Sequence, residues 1–153
     1  PRGFPTKELL KLNRLIKELK KSENVTIIKG PLSPSSYSRI WDSIDILLLP
    51  YHPKSYDARV SGVFIDGTLR GKPSIVPNNT WLGSEVRKLE AGECFEYSQS
   101  RERTLLSIRS AMRRLEQKMR IHGIKDKLRF NAFYYKKQYC AESFISKIEK
   151  QIR

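Results

Sequence analysis

The sequence contains few cysteines and no long hydrophobic run. Its two cysteines, Cys94 and Cys140, lie far apart and lack the Cys/His spacing of a zinc site. One pair also falls short of the dense disulfide framework of small secreted domains. The longest uninterrupted aliphatic run, Ile46 to Leu49, is much shorter than the ~18 apolar residues that span a bilayer. We therefore expect a domain without a metal and without a membrane span, in a reducing compartment such as the cytosol.

Two common phosphate-binding signatures are absent as well. Neither GxGxxG nor GxxxxGK[ST] occurs, so the sequence predicts neither a dinucleotide fingerprint nor a P-loop. The chain opens at Pro1 instead of a methionine, and no signal-like apolar region follows. We expect the chain to be a piece of a larger protein.

Acidic side chains are scarce relative to basic ones, with 16 Asp and Glu against 30 Lys and Arg and a net charge of +14 over 153 residues. The excess is uneven, because residues 101–153 carry 15 basic and 5 acidic side chains whereas residues 51–100 carry 6 of each. A basic excess of this kind is typical of contact with nucleic acid or an anionic membrane surface. Residues 51–100 therefore carry no net charge, so a ligand that binds there is not attracted by a diffuse positive field alone.

The predicted helices and strands alternate along the chain. Apolar residues three and four apart predict helices, and short aliphatic runs bounded by Gly, Pro or Asp predict strands. The run before Pro50 is expected to be an interior strand that is covered on both faces. The predicted strands are Val25–Lys29, Ile46–Leu49 between Asp45 and Pro50, Ser74–Val76 and Cys94–Tyr97. The predicted helices are Thr6–Lys21, Ser35 or Ser36 to Ile44, Ser61–Arg70, Ser84–Ala91 and Thr104–Met119, followed by a helical region to Ile152 with a break near Cys140.

This alternation predicts an α/β fold in one domain over residues 1–153. Short connections between strand and helix imply right-handed crossovers, a Rossmann-like open parallel sheet and helices on both of its faces. We expect the core over about residues 24–98 and a helical part over about residues 100–153. A length of 153 residues suits one domain with a sizeable core.

The pair Ser61-Gly62 is the candidate binding site. In an open parallel sheet, ligands bind beyond the carboxyl ends of the strands, where helix N-termini also point. Gly62 lets another group approach the backbone, and the free amides of a helix start favour an anion such as phosphate. Asp66 follows within two turns and could accept hydrogen bonds from a diol such as ribose. From these residues alone the alternative also holds, in which Ser61 is a helix cap and Asp66 a solvated acid.

A series of motifs over about Val25 to Tyr97 resembles one family. The order of these motifs is similar to the C-terminal half of GT-B glycosyltransferases, particularly the large retaining group often called group 1. The motifs are Gly30 after a strand, Tyr37 and Trp41 in the next helix, Ser43 and Asp45 before an apolar strand ending in Pro50-Tyr51, then Ser61-Gly62, Asp66 and Gly71-Lys72-Pro73.

The resemblance implies roles for individual residues. Asp66 matches the second acid of the family's Glu-x7-Glu motif, which binds the donor ribose, and the first acid falls on Ala58. Asp57 and Arg59 flank this departure and are the candidate catalytic residues, with Arg59 as a cationic helper for the leaving diphosphate. The positions matched to donor binding are Gly30 and Leu32 beside the nucleobase, Tyr51 at the wall near the sugar, and Ser61, Gly62 and Val63 at the diphosphate.

The resemblance also implies a function. This chain would be the donor-binding domain of a glycosyltransferase that moves a sugar from a nucleotide-sugar to an acceptor with retention, as in polysaccharide biosynthesis. No metal or other cofactor is expected. The implied partners are the nucleotide-sugar and an N-terminal acceptor domain, without which the isolated domain is expected to be inactive. A cytoplasmic location is expected, and an anionic membrane surface is a further candidate partner because many acceptors are lipid-linked.

Two alternatives belong to other classes of protein. The departure at Ala58 favours a non-catalytic interaction domain with the same fold. The stretch RFNAFYYKKQYCAESF, in which aromatic and basic residues interleave, favours a nucleic-acid-binding module. Against the second alternative, Phe130, Phe133 and Tyr134 have helical spacing that predicts packing in the core or between domains. No nucleic acid is therefore expected as a partner.

Overall fold

The computed structural model describes residues 6–139, which fall into two compact units, one up to Tyr37 and one from Ser38. The prediction of a single domain over residues 1–153 stays a prediction. In the first unit, helix α1 spans Thr6–Leu19. It begins where the apolar periodicity predicts, and it ends two residues before the expected Lys21.

The predicted buried strand Val25–Lys29 is wrong. This segment is extended but belongs to no strand, and both Val25 and Ile28 are exposed. Its β-branched residues favour an extended backbone, whereas a strand also requires a neighbour with which to pair. The local sequence therefore indicates the conformation of the segment and not its pairing.

Helix α2, Pro34–Ser43, begins one residue earlier than expected and crosses the boundary between the units. The hydroxyl of Ser33, instead of Ser35 or Ser36, accepts a hydrogen bond from the Ser36 amide at 3.2 Å. Pro34 suits the first helical position, because the amide proton that it lacks has no acceptor there. Ser33 and Pro34 together therefore set the start of the helix.

The second unit is an α/β structure built on a small open sheet. The three strands are parallel and lie in the order β1, β2, β3, with Ser74 of β2 opposite Leu47 on one side and Gly92 on the other. The parallel order agrees with the predicted alternation. The strands are β1 (Leu47–Leu48), β2 (Ser74–Pro77) and β3 (Gly92–Phe95), and the helices are α3 (Pro53–Tyr56), α4 (Gly62–Leu69), α5 (Trp81–Leu89), α6 (Arg101–Met119) and α7 (Ile124–Tyr139).

Strand β1 lies at an edge of the sheet, so the prediction of an interior strand covered on both faces is wrong. Among residues 6–139 it pairs with β2 alone, and the strand covers two of the four predicted residues. Leu49 is buried, but Leu48 is exposed. An aliphatic run indicates a strand, but its position in the sheet depends on how many other strands pair with it.

Both faces of the central strand β2 are covered. Neighbouring residues of a strand point to opposite faces, and here Val76 packs with Phe64 of α4 and with α5 while Ile75 packs with α6. Helices α4 and α5 therefore cover one face and α6 covers the other. The start of α4 after Ser61 and the positive φ of +66° at Gly71 confirm the predicted helix and its stop.

The boundaries of three other elements differ from prediction because their caps lie elsewhere. Helix α5 begins at Trp81 because Thr80, not Ser84, caps it, and Glu90 adopts the left-handed conformation at its end. Gly92 begins β3 instead of stopping α5, since a Cβ there would lie 1.8 Å from the Ser74 carbonyl oxygen. Ser100 caps α6, which therefore starts before the expected Thr104.

One side of helix α7 packs against the second unit. Leu128 and Tyr135 are buried against Leu89 and Ala91. Phe130, Phe133 and Tyr134 are all exposed, so their predicted packing in the core of this chain is wrong. The alternative, packing between domains, stays a prediction. The helical continuation to Ile152 and the break near Cys140 lie outside the described residues. Within residues 6–139 the helices are too short or too polar to cross a bilayer.

Candidate functional site

The loops that follow the three strands meet at the carboxyl edge of the sheet, where α4 and α5 begin. The first turns of these helices are adjacent, with ring centroids of Phe64 and Trp81 5.7 Å apart at an interplanar angle of 80°. Each helix N-terminus carries a partial positive charge. Two such ends side by side make this edge favourable for an anion.

Ser61 is the N-cap of α4 and is buried. Its backbone is extended, with φ −117° and ψ 116°, and its hydroxyl oxygen accepts a hydrogen bond from the Phe64 amide at 3.3 Å. The hydroxyl oxygen also lies 3.5 Å from that of Tyr51, at the limit of hydrogen bonding. The cap expected of Ser61 is confirmed, so this side chain works first as a structural group.

Two amides of the first turn remain available to a ligand. The Ile65 amide donates to the Ser61 carbonyl oxygen at 3.1 Å and the Phe64 amide to the Ser61 hydroxyl, whereas Gly62 and Val63 have no acceptor within the helix. Both residues are exposed. A Cβ added at Gly62 would meet no atom within 4 Å, so the space beside the backbone at this residue is open.

Asp66 lies one turn after Gly62 on the same side of α4, because residues four apart share a helix face. Its side chain is half-buried, and it takes part in a further polar or ring interaction within the protein. Side chains of a helix lean toward its N-terminus. A carboxylate at this position of the helix is suited to accept hydrogen bonds from a diol beside a phosphate at the first turn.

Three side chains from the loop after β1 line up beside Ser61. The Tyr51 and Tyr56 rings stack with centroids 4.1 Å apart and planes 20° from parallel. The guanidinium carbon of Arg59 lies 5.7 Å from the Tyr56 ring centroid, within the range of a cation–π contact. The structure thus brings Tyr51, Arg59 and Ser61 together, and Tyr56 is the link that the sequence did not reveal.

The carboxylate of Asp57, the other candidate catalytic residue, is hydrogen-bonded within its own loop. One of its carboxylate oxygens accepts a hydrogen bond from the Ala58 amide at 2.7 Å. Ala58 is exposed and has only a methyl group at the position that the resemblance assigns to a sugar-contacting acid. Position 58 therefore contributes no acid to this edge, and the candidate cation of the loop is Arg59, which contacts Tyr56.

The loops after the two outer strands also meet, which the sequence did not indicate. His52, after β1, contacts Tyr97, after β3, with ring centroids 5.0 Å apart at an angle of 63°. Between them, Thr80 donates to the Pro77 carbonyl oxygen at 2.8 Å and accepts from the Gly83 amide at 3.0 Å. The Asn-Asn-Thr sequence after β2 was the available signal, since Asn and Thr favour turns and N-caps.

Gly30 and Leu32 lie in the first unit. Gly30 has a positive φ of 81°, which explains the glycine, and Leu32 is exposed. Their predicted contact with a nucleobase stays a prediction.

Two groups with shifted pKa values lie on β3. Partial burial opposes ionisation of Glu93, but hydrogen bonds and charge from Lys118 and Arg114 outweigh it and lower the pKa of its carboxyl. Burial raises the pKa of the Cys94 thiol, which is unfavourable for a nucleophile. Among residues 6–139 no cluster of His, Cys, Asp and Glu could hold a metal ion, and the expectation that none is needed stays a prediction.

The carboxyl edge therefore combines open amides at a helix start, a carboxylate one turn along and a cation beside them. Such a set can bind a phosphate group next to a diol. Comparison of the chain with protein-family models, with curated proteins and with solved structures gave no match.

Proposed function

We propose that this chain is the donor-binding domain of a retaining glycosyltransferase of the GT-B type. The observation that carries the proposal is the exposed start of α4 at the carboxyl edge of a parallel sheet, with Asp66 one turn along the helix and Arg59 two residues before its cap Ser61. The amides and Arg59 suit the diphosphate of a nucleotide-sugar, and Asp66 suits its ribose. The three-stranded sheet is then part of a Rossmann-like domain.

The proposed reaction breaks the bond between the sugar's anomeric carbon and the diphosphate oxygen. The same carbon then bonds to an acceptor hydroxyl, which gives up its proton, and the nucleoside diphosphate leaves with the bonding electron pair. Negative charge that develops on the diphosphate is stabilised by donors that are already in position. The α4 amides and Arg59 would supply this stabilisation without a metal.

We further propose that the acceptor side of the cleft belongs to a separate N-terminal domain. The groups at the carboxyl edge are suited to holding a donor, and the described residues present no second acid through position 58. By itself the chain is then expected to bind a donor weakly and to transfer nothing. A cytoplasmic location would supply nucleotide-sugars to such a domain.

A second candidate is a non-catalytic interaction domain of the same fold. The observation that favours it is the combination of a methyl group at Ala58 with the local hydrogen bond that occupies Asp57. In this case the carboxyl edge keeps the fold of a donor site but no longer binds a nucleotide-sugar. The two candidates differ in whether the folded chain responds to any nucleotide-sugar.

The test is a thermal-shift and saturation-transfer NMR panel of UDP-, GDP- and ADP-sugars against the chain and two variants. Asp66→Asn removes the charge of the proposed ribose acceptor while keeping its shape. Loss of hydrogen bonds to a charged acceptor should weaken donor binding by about tenfold or more. Asp42→Asn, at an exposed acid on α2, is the matched control and should bind the donor like the parent chain.

Each result of this panel points to one candidate. A response to one class of nucleotide-sugar that Asp66→Asn weakens and Asp42→Asn does not supports the donor domain. Equal affinity of Asp66→Asn and the parent chain would overturn the ribose assignment. No response of folded protein to any donor would favour the interaction domain.

A further inference from the structure

The outward side of α7 carries three exposed aromatic side chains. Phe130, Phe133 and Tyr134 are 68%, 58% and 53% exposed. Their spacing of three and four residues places them on one side of the helix. We name this group the aromatic ridge. Large apolar side chains are seldom so exposed side by side unless the surface meets a partner.

Helix α7, which carries the aromatic ridge, is packed against the rest of the second unit. Tyr135 and Leu128, on the opposite side of α7, are buried against Leu89. The Asn131 side chain also donates a hydrogen bond to the Leu89 carbonyl oxygen at 2.6 Å. Because α7 is held in place through this side, the ridge cannot turn inward without breaking these contacts.

Cations flank the ridge on both sides. A shallow cleft of about 320 Å³ toward α5 includes Lys88 and Lys127, and another of about 260 Å³ toward the end of α4 includes Arg70, Arg129 and Lys136. The Lys137 ammonium lies 5.3 Å from the Phe133 ring centroid.

The charge around the ridge is therefore strongly positive. Within residues 6–139 two acids lie close by, and each is already paired, Glu90 with Lys127 and Asp126 with Arg129. Six cations and two acids leave an excess of four positive charges around three exposed rings. The partner of this surface must accept apolar rings at its centre and supply negative charge around them.

We propose that the aromatic ridge docks the protein on an anionic membrane surface. The rings enter the boundary between headgroups and acyl chains, and the flanking lysines and arginines contact anionic headgroups, which is the pattern of an interfacial helix. The charge complementarity is independent of the proposed donor site. A single-stranded nucleic acid fits less well, because its backbone follows a basic groove, whereas these cations lie on two sides of a convex ridge.

The test is co-sedimentation of the full chain with vesicles of phosphatidylcholine alone and with vesicles that also contain phosphatidylserine. The ridge variant combines Phe130→Gln, Phe133→Gln and Tyr134→Gln, since glutamine keeps helix propensity. The matched control combines Leu105→Gln, Leu106→Gln and Met112→Gln on α6, at side chains that are 49%, 63% and 47% exposed. Circular dichroism verifies that both variants are folded.

We expect the parent chain to bind only the phosphatidylserine vesicles, and less at high salt. The ridge variant should bind at least about tenfold more weakly, because three ring insertions are lost, and the control should bind like the parent. No binding of the parent chain, or equal binding by the ridge variant, overturns the proposal. Ridge-dependent binding to a single-stranded oligonucleotide but not to vesicles overturns it as well and assigns the surface to nucleic acid.

A second experiment uses single tryptophan substitutions, which keep the fold of α7 intact. Phe130→Trp places a fluorophore on the ridge, and Leu106→Trp places one at the exposed control position on α6. Brominated lipid in phosphatidylserine vesicles should quench the fluorescence of Phe130→Trp more strongly than that of Leu106→Trp. Equal quenching of the two variants contradicts insertion of the ridge.

Discussion

Ser61 has a structural role that can be separated from ligand binding. Its hydroxyl caps the Phe64 amide, so the groups left open to a ligand are the amides of Gly62 and Val63. The sequence allowed two interpretations of Ser61, a cap or part of an anion site. In the structure the same residue caps the helix and directs the chain so that the next two amides face outward.

We predict that Ser61→Ala costs about 1 kcal/mol of unfolding free energy, because it removes the N-cap of α4. Urea denaturation followed by circular dichroism measures this loss. Ser61→Thr keeps a capping hydroxyl and should retain most of the stability. Donor affinity should change less than stability, since the open amides remain. A Ser61→Ala variant as stable as the parent chain would contradict the cap.

At the residue scale, Asp66 is a part of the candidate site that the sequence could indicate. Its place within two turns of Ser61 follows from the predicted start of the helix, and α4 begins at Gly62. Tyr56 could not be found in this way, because its stacking on Tyr51 and its contact with Arg59 depend on the path of the loop after β1. Loop contacts of this kind have no periodic signal in the sequence.

At the scale of the elements, the close approach of β3 to β2 depends on a glycine. Gly92 has a φ of +152°, and a Cβ there would lie 1.8 Å from the Ser74 carbonyl oxygen. We predict that Gly92→Ala lowers the unfolding free energy by more than about 3 kcal/mol, through strain and displacement of β3. Thermal unfolding measures the effect.

The control for this variant is Gly62→Ala. A Cβ at Gly62 meets open space, so that change should leave stability within about 1 kcal/mol of the parent chain. Equal stability of Gly92→Ala and Gly62→Ala would mean that β2 and β3 do not approach as closely as the structure shows.

Glu93 joins β3 to α6 through an ion-pair network. Its carboxylate accepts a hydrogen bond from Arg114 at 2.8 Å and pairs with Lys118, and these contacts lower the pKa of the carboxyl below its usual value of 4.5. Because the folded pKa is lowered, the stabilisation is complete above pH 4.5 and is lost as the pH falls further, through the folded value.

We predict that Glu93→Gln lowers stability at neutral pH by about 1 kcal/mol, because the two cationic partners are half exposed to screening water. The difference from the parent chain should shrink below pH 4.5, where the parent carboxyl becomes protonated. Urea denaturation as a function of pH measures both. Glu116→Gln, in an exposed pair with Arg120, is the control and should change stability by less than about 0.5 kcal/mol. A pH-independent difference would contradict the assignment.

At the scale of the whole molecule, the sequence predicted the order of helices and strands better than it predicted which strands pair with each other. The alternation of helix and strand predicts a parallel sheet, and β1, β2 and β3 are parallel. It could not show that β1 lies at an edge or that Val25–Lys29 remains unpaired, because both depend on which other strands are available. The exposure of Phe130 likewise depends on which side of α7 meets the core.

Most of the excess positive charge lies in a different part of the sequence from the candidate donor site. The excess of basic residues lies mostly in residues 101–153, whereas residues 51–100, which contain the open amides, are balanced. A diphosphate would therefore be held by local geometry and not by net charge. This separation permits one surface to meet an anionic partner while another holds a nucleotide.

The measurement that tests the donor site most directly is a backbone-amide NMR titration of the chain with a nucleoside diphosphate. The structure predicts that the amides of Gly62 and Val63 shift together on binding, while those of Gly92 and Ala111 stay in place, and that Asp66→Asn weakens the response. If the folded chain binds the nucleotide and the amides of Gly62 and Val63 do not move, or if no amide moves at all, the N-terminus of α4 is not the diphosphate site.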